Sequence, residues 1–211
     1  MKLKPALIAF EGTECAGKTT AIQNVKEWIE TTYGQEVVVT RAPGGTPVGM
    51  KIRHIVTGDA YSEISPSVNA MLFAADWRNT LEQVVLPALA RGAIVLTDRC
   101  NLTCWIYQHK APEIGKLMEF NNKVKSCDTT FILTTPFDVF VQRRDARDAS
   151  LNNARDYIER DVHDGMVERY MQYADTHPRD AVMVDCLQPV EDITKDIIRV
   201  IKDHYGRTNP A

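Results

Sequence analysis

Ala6-Leu7-Ile8-Ala9-Phe10 is an apolar run that leads straight into Glu11-Gly12-Thr13-Glu14-Cys15-Ala16-Gly17-Lys18-Thr19-Thr20, the spacing GxxxxGK[ST]. A helical pattern with Ile22, Val25 and Ile29 on one face follows at once. Strand, glycine-bearing turn and helix in that order make an anion cradle, because glycine lets the backbone wind tightly and aims successive N–H groups and the helix N-terminus at a phosphate. The loop residues Gly12, Thr13, Glu14, Cys15, Ala16, Gly17, Lys18, Thr19 and Thr20 are therefore expected to hold the phosphates of a nucleotide. Lys18 brings a mobile positive charge to the outer phosphates, and Thr19 offers a hydroxyl to Mg²⁺.

Four further short apolar runs, Glu36–Thr40, Ala93–Thr97, Thr129–Leu133 and Ala181–Val184, are continuous rather than alternating, as in strands covered on both faces of a parallel sheet. Helical stretches over 18–32, 66–91, 137–146, 155–175 and 190–204, with two or three short ones between 102 and 126, separate them. Strands alternating with helices predict an α/β fold: a doubly wound, mostly five-stranded parallel sheet flanked by helices. Ligands of such sheets sit at the carboxyl ends of the strands. Glu11–Thr19, Arg41 and Asp98-Arg99 all fall at such ends, so one cleft is expected to gather them.

The chain has 211 residues, 44% apolar and 25% charged, which suits one domain with a full core. Its formal charge of -3 argues against a broad basic face and hence against a nucleic acid polymer as partner. Cys15, Cys100, Cys104, Cys127 and Cys186 are odd in number, form no CxxC pair and have no neighbouring histidine at ligand spacing, so they read as reduced thiols without structural zinc. The apolar run after Met1 is too short for a signal segment, no stretch is long enough to span a membrane, and a cytoplasmic location is expected. Arg207–Ala211 reads as a frayed tail.

A second phosphate site is legible beyond the loop. A monophosphate acceptor must be held in line with the donor's γ-phosphoryl, and two such anions repel unless cations lie between them. Arg41 and Arg99 reach adjacent strand ends, and each carries a planar fork suited to phosphate oxygens. Asp98 ends an apolar strand and is placed, with Thr19, to position Mg²⁺. Glu14 lies so close to the phosphates that it is expected to face the sugar.

The motifs FEGTECAGKTT, TRAPGGTP, MLFAADWRNTLE, PALARG, DRCNLTCWIYQ and DCLQP follow one another in this order. The set resembles the thymidylate kinases, nucleoside monophosphate kinases of the P-loop group, whose pattern reads FEGxxGAGKTT, TREPGGTP, LLFAADRxxHLE, PALxxG, DRYxxSxxAYQ and D-x-x-QP. The resemblance implies one kinase domain over 1–211 with a lid near 143–158, ATP and a pyrimidine deoxynucleoside monophosphate as reactants, and a homodimer formed through the helix 66–91. It assigns Arg41 and Arg99 to the acceptor phosphate, Glu14 to the 3′-hydroxyl, Phe73 to stacking on the base, and Thr103, Tyr107 and Gln108 to the sugar and base. It also implies catalytic arginines in the lid, because the phosphate loop itself carries none; Arg143, Arg144 and Arg147 are the candidates beside Lys18, Asp98 and Arg99. Arg143 and Arg147 are four apart and so share a helical face.

Four positions depart from the pattern: Cys15 for a loop glycine, Ala42 for an acid, Trp77 for the arginine after FAAD, and Cys100 for the aromatic of DRY. Phe73 and Trp77 share a face of their helix, whereas Arg78 is turned ~100° from Trp77, so an aromatic clamp on the base is expected, with Arg78 entering the substrate site only if the helix rotates. Cys100 in place of an aromatic relaxes the expected rejection of ribose. Three activities stay open at this point: phosphorylation of dTMP to dTDP, phosphorylation of dUMP or a 5-substituted dUMP, and regulatory ATP hydrolysis.

Overall fold

A computed structural model describes residues 2–58, 63–147 and 157–206. Five parallel strands, β1 (Leu7–Gly12), β2 (Val37–Arg41), β3 (Ile94–Asp98), β4 (Thr129–Thr134) and β5 (Ala181–Asp185), form one sheet in the order β2-β3-β1-β4-β5. The central strand β1 pairs on both sides, Phe10 opposite Asp98 on β3 and opposite Phe131 on β4. Every residue of β1 is buried.

The helices are α1 (Lys18–Tyr33), α2 (Pro47–Thr57), α3 (Pro66–Thr80), α4 (Leu86–Ala90), α5 (Asn101–Tyr107), α6 (Ile114–Asn122), α7 (Phe137–Ala146), α8 (Arg160–Thr176) and α9 (Val190–Tyr205). Alternate residues of β1 point to opposite faces of the sheet. Ile8 and Phe10 pack with Ile22, Val25 and Ile29 of α1 and Ile193, Ile197 and Ile201 of α9. Leu7 and Ala9 pack with Trp77 of α3, Leu81 and Val85 beyond it, and Met166, Tyr170 and Ala174 of α8. A smaller cluster of Val56, Ala70, Phe73, Cys104, Ala111 and Ile114 joins α2, α3, α5 and α6 at one end of the sheet.

The structure differs from the sequence expectations in four places. Strands β2 and β5 are edges, and Val39 and Met183 are 46% and 40% exposed there, so these runs are not covered on both faces. The stretch 66–91 is not one regular helix: α3 gives way to a π-helical turn, Leu81–Val85, before α4, and Leu86 N–H bonds Leu81 O. Pro87 has no N–H to give to the preceding turn, which makes a regular ladder impossible at that point. Helix α8 begins at Arg160 rather than at 155. Helix α2 was not expected at all, although Thr46 caps it by accepting from Gly49 N–H at 2.9 Å and Pro47 occupies its first turn. The expected lid, 143–158, and the tail lie partly or wholly outside the described residues.

Candidate active site

At the carboxyl ends of β1, β2 and β3 lies a cleft of about 590 Å³. Its floor is the turn after β1. Gly12 has φ 133°, and a Cβ there would sit 1.7 Å from Leu133 O of β4, so only glycine lets the loop leave the sheet this closely. Glu14, Cys15, Ala16, Gly17, Lys18, Thr19 and Thr20 line the cleft, while Gly12 and Thr13 lie buried beneath them. Cys15 adopts the left-handed φ of 56° where the family pattern has glycine. Lys18 Nζ donates to Thr13 O at 2.6 Å and Gly12 O at 3.2 Å, which folds the ammonium over the loop. Burial, reinforced by Arg99, pushes its pKa down, so Lys18 is a poorly hydrated cation ready for an anion.

The parallel register sets Arg41 directly opposite Asp98, their side chains 3.9 Å apart, and both face the cleft. Asp98 Oδ1 is buried without a hydrogen bond, and Asp98 and Thr19 also border an adjoining pocket of about 380 Å³. These two oxygens suit a hard cation that keeps most of its coordination for water and phosphate.

Arg99 follows in a left-handed turn, φ 70°. Its Nη1 donates to Gly12 O at 3.1 Å and its Nη2 to Glu14 Oε1 at 2.8 Å, where the Tyr107 hydroxyl also donates at 2.6 Å. Burial alone would push the Glu14 carboxyl up; Arg99, Lys18 and Tyr107 outweigh it and hold Glu14 below the usual carboxylate range. Burial likewise opposes the Arg99 charge, and Tyr107, Glu14 and Glu11 overcome it. Glu14 Oε2 is buried and accepts no hydrogen bond.

Phe73 also forms part of the cleft wall, together with Pro43, Thr57 and Thr103. The expected clamp is not formed. Trp77 is 2% exposed and packs among Leu7, Ala9, Cys100 and Ile106 on the sheet side of α3. Cys100 belongs to the same buried cluster as the indole. Arg78 points away from the cleft, donating to Phe120 O and to Asn121 Oδ1 at 3.2 Å and lying over the Phe120 ring. Gln108 is buried outside the cleft lining, and the Thr103 hydroxyl is turned to Glu11.

Of the three lid candidates, Arg143 and Arg147 line the cleft and Arg144 does not. Arg143 Nη2 donates to Cys186 O at 2.7 Å, which ties α7 to the turn after β5. Arg144 pairs with Asp145 and lies over Phe140 and Tyr157. Asp156 of the motif that resembles DRIE lies outside the described residues.

Arg53 of α2 was missed by sequence reasoning. It lines the cleft and donates from Nη1 to Pro43 O at 3.1 Å. Its only signal was the Thr46-Pro47 helix start six residues earlier. Asp76 of α3 supports the same wall by accepting from Gly44 N–H at 3.0 Å. Burial pushes its carboxyl up to about 6. In all, six cations (Lys18, Arg41, Arg53, Arg99, Arg143 and Arg147) face two carboxylates (Glu14 and Asp98) in one cleft of a chain whose net charge is -3.

A parallel sheet with this strand order, a phosphate loop after its central strand, and an arginine-lined cleft define a nucleoside monophosphate kinase of the P-loop class. Comparisons narrow the class: a family profile for thymidylate kinase matches residues 10–197. The chain is 33% identical over 211 residues to a thymidylate kinase of Thermoanaerobacter sp. (strain X514), covering 96% of this chain and 100% of that protein. It is 32% identical over 208 residues to one from Halalkalibacterium halodurans, covering 96% and 99%. It is 34% identical over 206 residues to one from Staphylococcus haemolyticus, covering 93% and 97%. The chain belongs to the thymidylate kinase family.

Proposed function

We propose that the protein transfers the γ-phosphoryl group of ATP directly to the phosphate of dTMP, giving dTDP and ADP. The observation that carries this reading is the excess of cations in the cleft. A single nucleotide on the loop is served by Lys18 and the backbone; Arg41, Arg53 and Arg99, which line the same cleft, call for a second anion.

In this reading the loop and Lys18 hold the ATP phosphates, while Arg41 and Arg99 grip the acceptor phosphate. Glu14 Oε2, which lacks a partner, takes the 3′-hydroxyl, and Phe73 stacks on the base. Arg143 and Arg147 neutralise charge on the group in transfer as the lid, 143–158, covers the cleft and excludes water. Thr19 and Asp98 would hold Mg²⁺, which when bound offsets the charge on the phosphoryl oxygens. The chain acts as one kinase domain, in the cytoplasm, and as a homodimer through the stretch 66–91, where Val68 and Met71 are exposed and Met71 borders a pocket shared with the exposed Phe120 of α6. Among the described residues no helix is long and apolar enough to cross a membrane.

A second reading, transfer to dUMP or a 5-substituted dUMP, is favoured by the burial of Trp77, which leaves the base without the guanidinium of the family pattern. A coupled assay for ADP with dTMP, dUMP, dCMP and 5-hydroxymethyl-dUMP separates the two. Fastest turnover with dTMP is expected; a strong preference for another monophosphate selects the second reading, and ATP turnover indifferent to all four contradicts both.

A further inference from the structure

Glu11 lies at the carboxyl end of β1, is 0% exposed, and touches no part of the cleft surface. Its carboxylate gathers donors from two distant parts of the chain. Oε1 accepts from Cys100 N–H at 2.9 Å and Thr103 N–H at 3.0 Å. The Thr103 hydroxyl lies 2.9 Å from Oε1 and 2.8 Å from Oε2, and Oε2 also accepts from the Tyr170 hydroxyl of α8 at 2.8 Å. Arg99 Nη1 stands 4.0 Å from the same Oε2. The residues that Glu11 binds thus flank Arg99, whose left-handed backbone, φ 70°, needs its surroundings to hold it.

We propose that Glu11 is a positioning residue: through the Cys100–Thr103 turn and Tyr170 it fixes the backbone that aims Arg99 at the acceptor phosphate, and it ties that aim to α8, the helix that follows the lid. This rests on the dTMP kinase reading. A carboxylate is required because both oxygens face donors. Glutamine would turn an NH₂ group toward one of them, leaving two donors opposed and the turn loosened. The loop residues that line the cleft make no hydrogen bond to Glu11, and Tyr170 reaches only Gly12 O beneath them, at 3.5 Å, so the larger effect falls on the acceptor.

The test is steady-state kinetics with ATP and dTMP on the full chain carrying Glu11→Gln, Thr103→Val, Thr103→Ser or Tyr170→Phe, with thermal unfolding followed alongside. Glu11→Gln is expected to raise the KM for dTMP about tenfold while the KM for ATP stays within about twofold. Tyr170→Phe, which leaves the other three donors in place, is expected to raise the dTMP KM about threefold, and Thr103→Ser to restore what Thr103→Val loses. An unchanged dTMP KM in Glu11→Gln, or equal rises in both KM values, overturns the proposal. Should Glu11→Gln fail to fold, Tyr170→Phe decides on the same criterion. If the wild-type enzyme phosphorylates dTMP and the variants match it, Glu11 alone loses its role; if the wild-type enzyme phosphorylates none of the monophosphates, both readings fall.

Discussion

At the end of the cleft beside the loop, Arg99, Glu14 and Tyr107 are joined by hydrogen bonds of 2.6–2.8 Å, and the buried Glu11 accepts from the backbone of Cys100 next to Arg99. At the other end, Phe73 meets the cleft from a cluster of Val56, Ala70 and Cys104, and Trp77 has withdrawn to the core. One end is built of charges held in place by polar partners; the other is built of packing. A charged partner network fixes where an anion sits to within a hydrogen-bond length, whereas an apolar wall accepts any flat ring that fits. On the proposed function, phosphate recognition would therefore be specified more tightly than base recognition.

Breaking the charged end should have the largest effect. Lys18→Ala is expected to lower kcat on the order of a thousandfold, since on the proposed function it removes a cation that holds the ATP phosphates. Its melting temperature should stay within a few degrees of wild type, because burial already disfavours the Lys18 charge. Rapid-quench kinetics and calorimetric unfolding check the two halves separately.

The packed end answers in stability instead. Trp77→Ala empties a site that is 2% exposed and is expected to cost about 3 kcal/mol or more in denaturant unfolding, with a far smaller change in the KM for dTMP. A large KM effect with intact stability would return Trp77 to the substrate.

Arg99→Ala sharpens the contrast from the polar side. It should lower kcat/KM for dTMP about a hundredfold with little change in ATP affinity, and destabilise the fold as well, because Glu14 loses its ion pair. Titration calorimetry with ATP and with dTMP reads both affinities.

The smallest effect belongs to Asp76, the buried acceptor of the Gly44 N–H. Its carboxyl is raised from an ordinary 3.8 to about 6 by burial. The protonated form is thus favoured by the fold, and the stabilisation present at low pH is lost as pH rises from about 4 to about 6. Asp76→Asn should flatten the pH dependence of stability over that window, by an amount on the order of 2 kcal/mol. Wild-type stability that rises across the same window relative to the variant would contradict the assignment.

The legible and the illegible parts of the molecule divide along the same line. That the loop and Arg99 meet in one cleft was legible because short motifs at strand ends carry their position in local spacing. The burial of Trp77 was not legible because helical phase gives the face it shares with Phe73 but not the neighbours that face will meet; Leu7, Ala9 and Cys100 of its cluster all lie more than twenty residues away. Helix α2, and Arg53 with it, went unassigned because Gly44, Gly45 and Gly49 weaken the helical signal at its start, although Gly49 is needed where Asp76 approaches: a Cβ there would lie 2.3 Å from its Oδ1. The network around Glu11 joins residues as far apart as Glu11 and Tyr170, a contact that no local pattern announces.

The central claim is that two nucleotides meet phosphate to phosphate in this one cleft. A single-turnover experiment with γ-labelled ATP, Mg²⁺ and dTMP tests it most directly: the label is predicted to appear in dTDP, without a labelled protein intermediate, at a rate that depends on dTMP. Label released only as inorganic phosphate, at the same rate with and without the monophosphate, would contradict it.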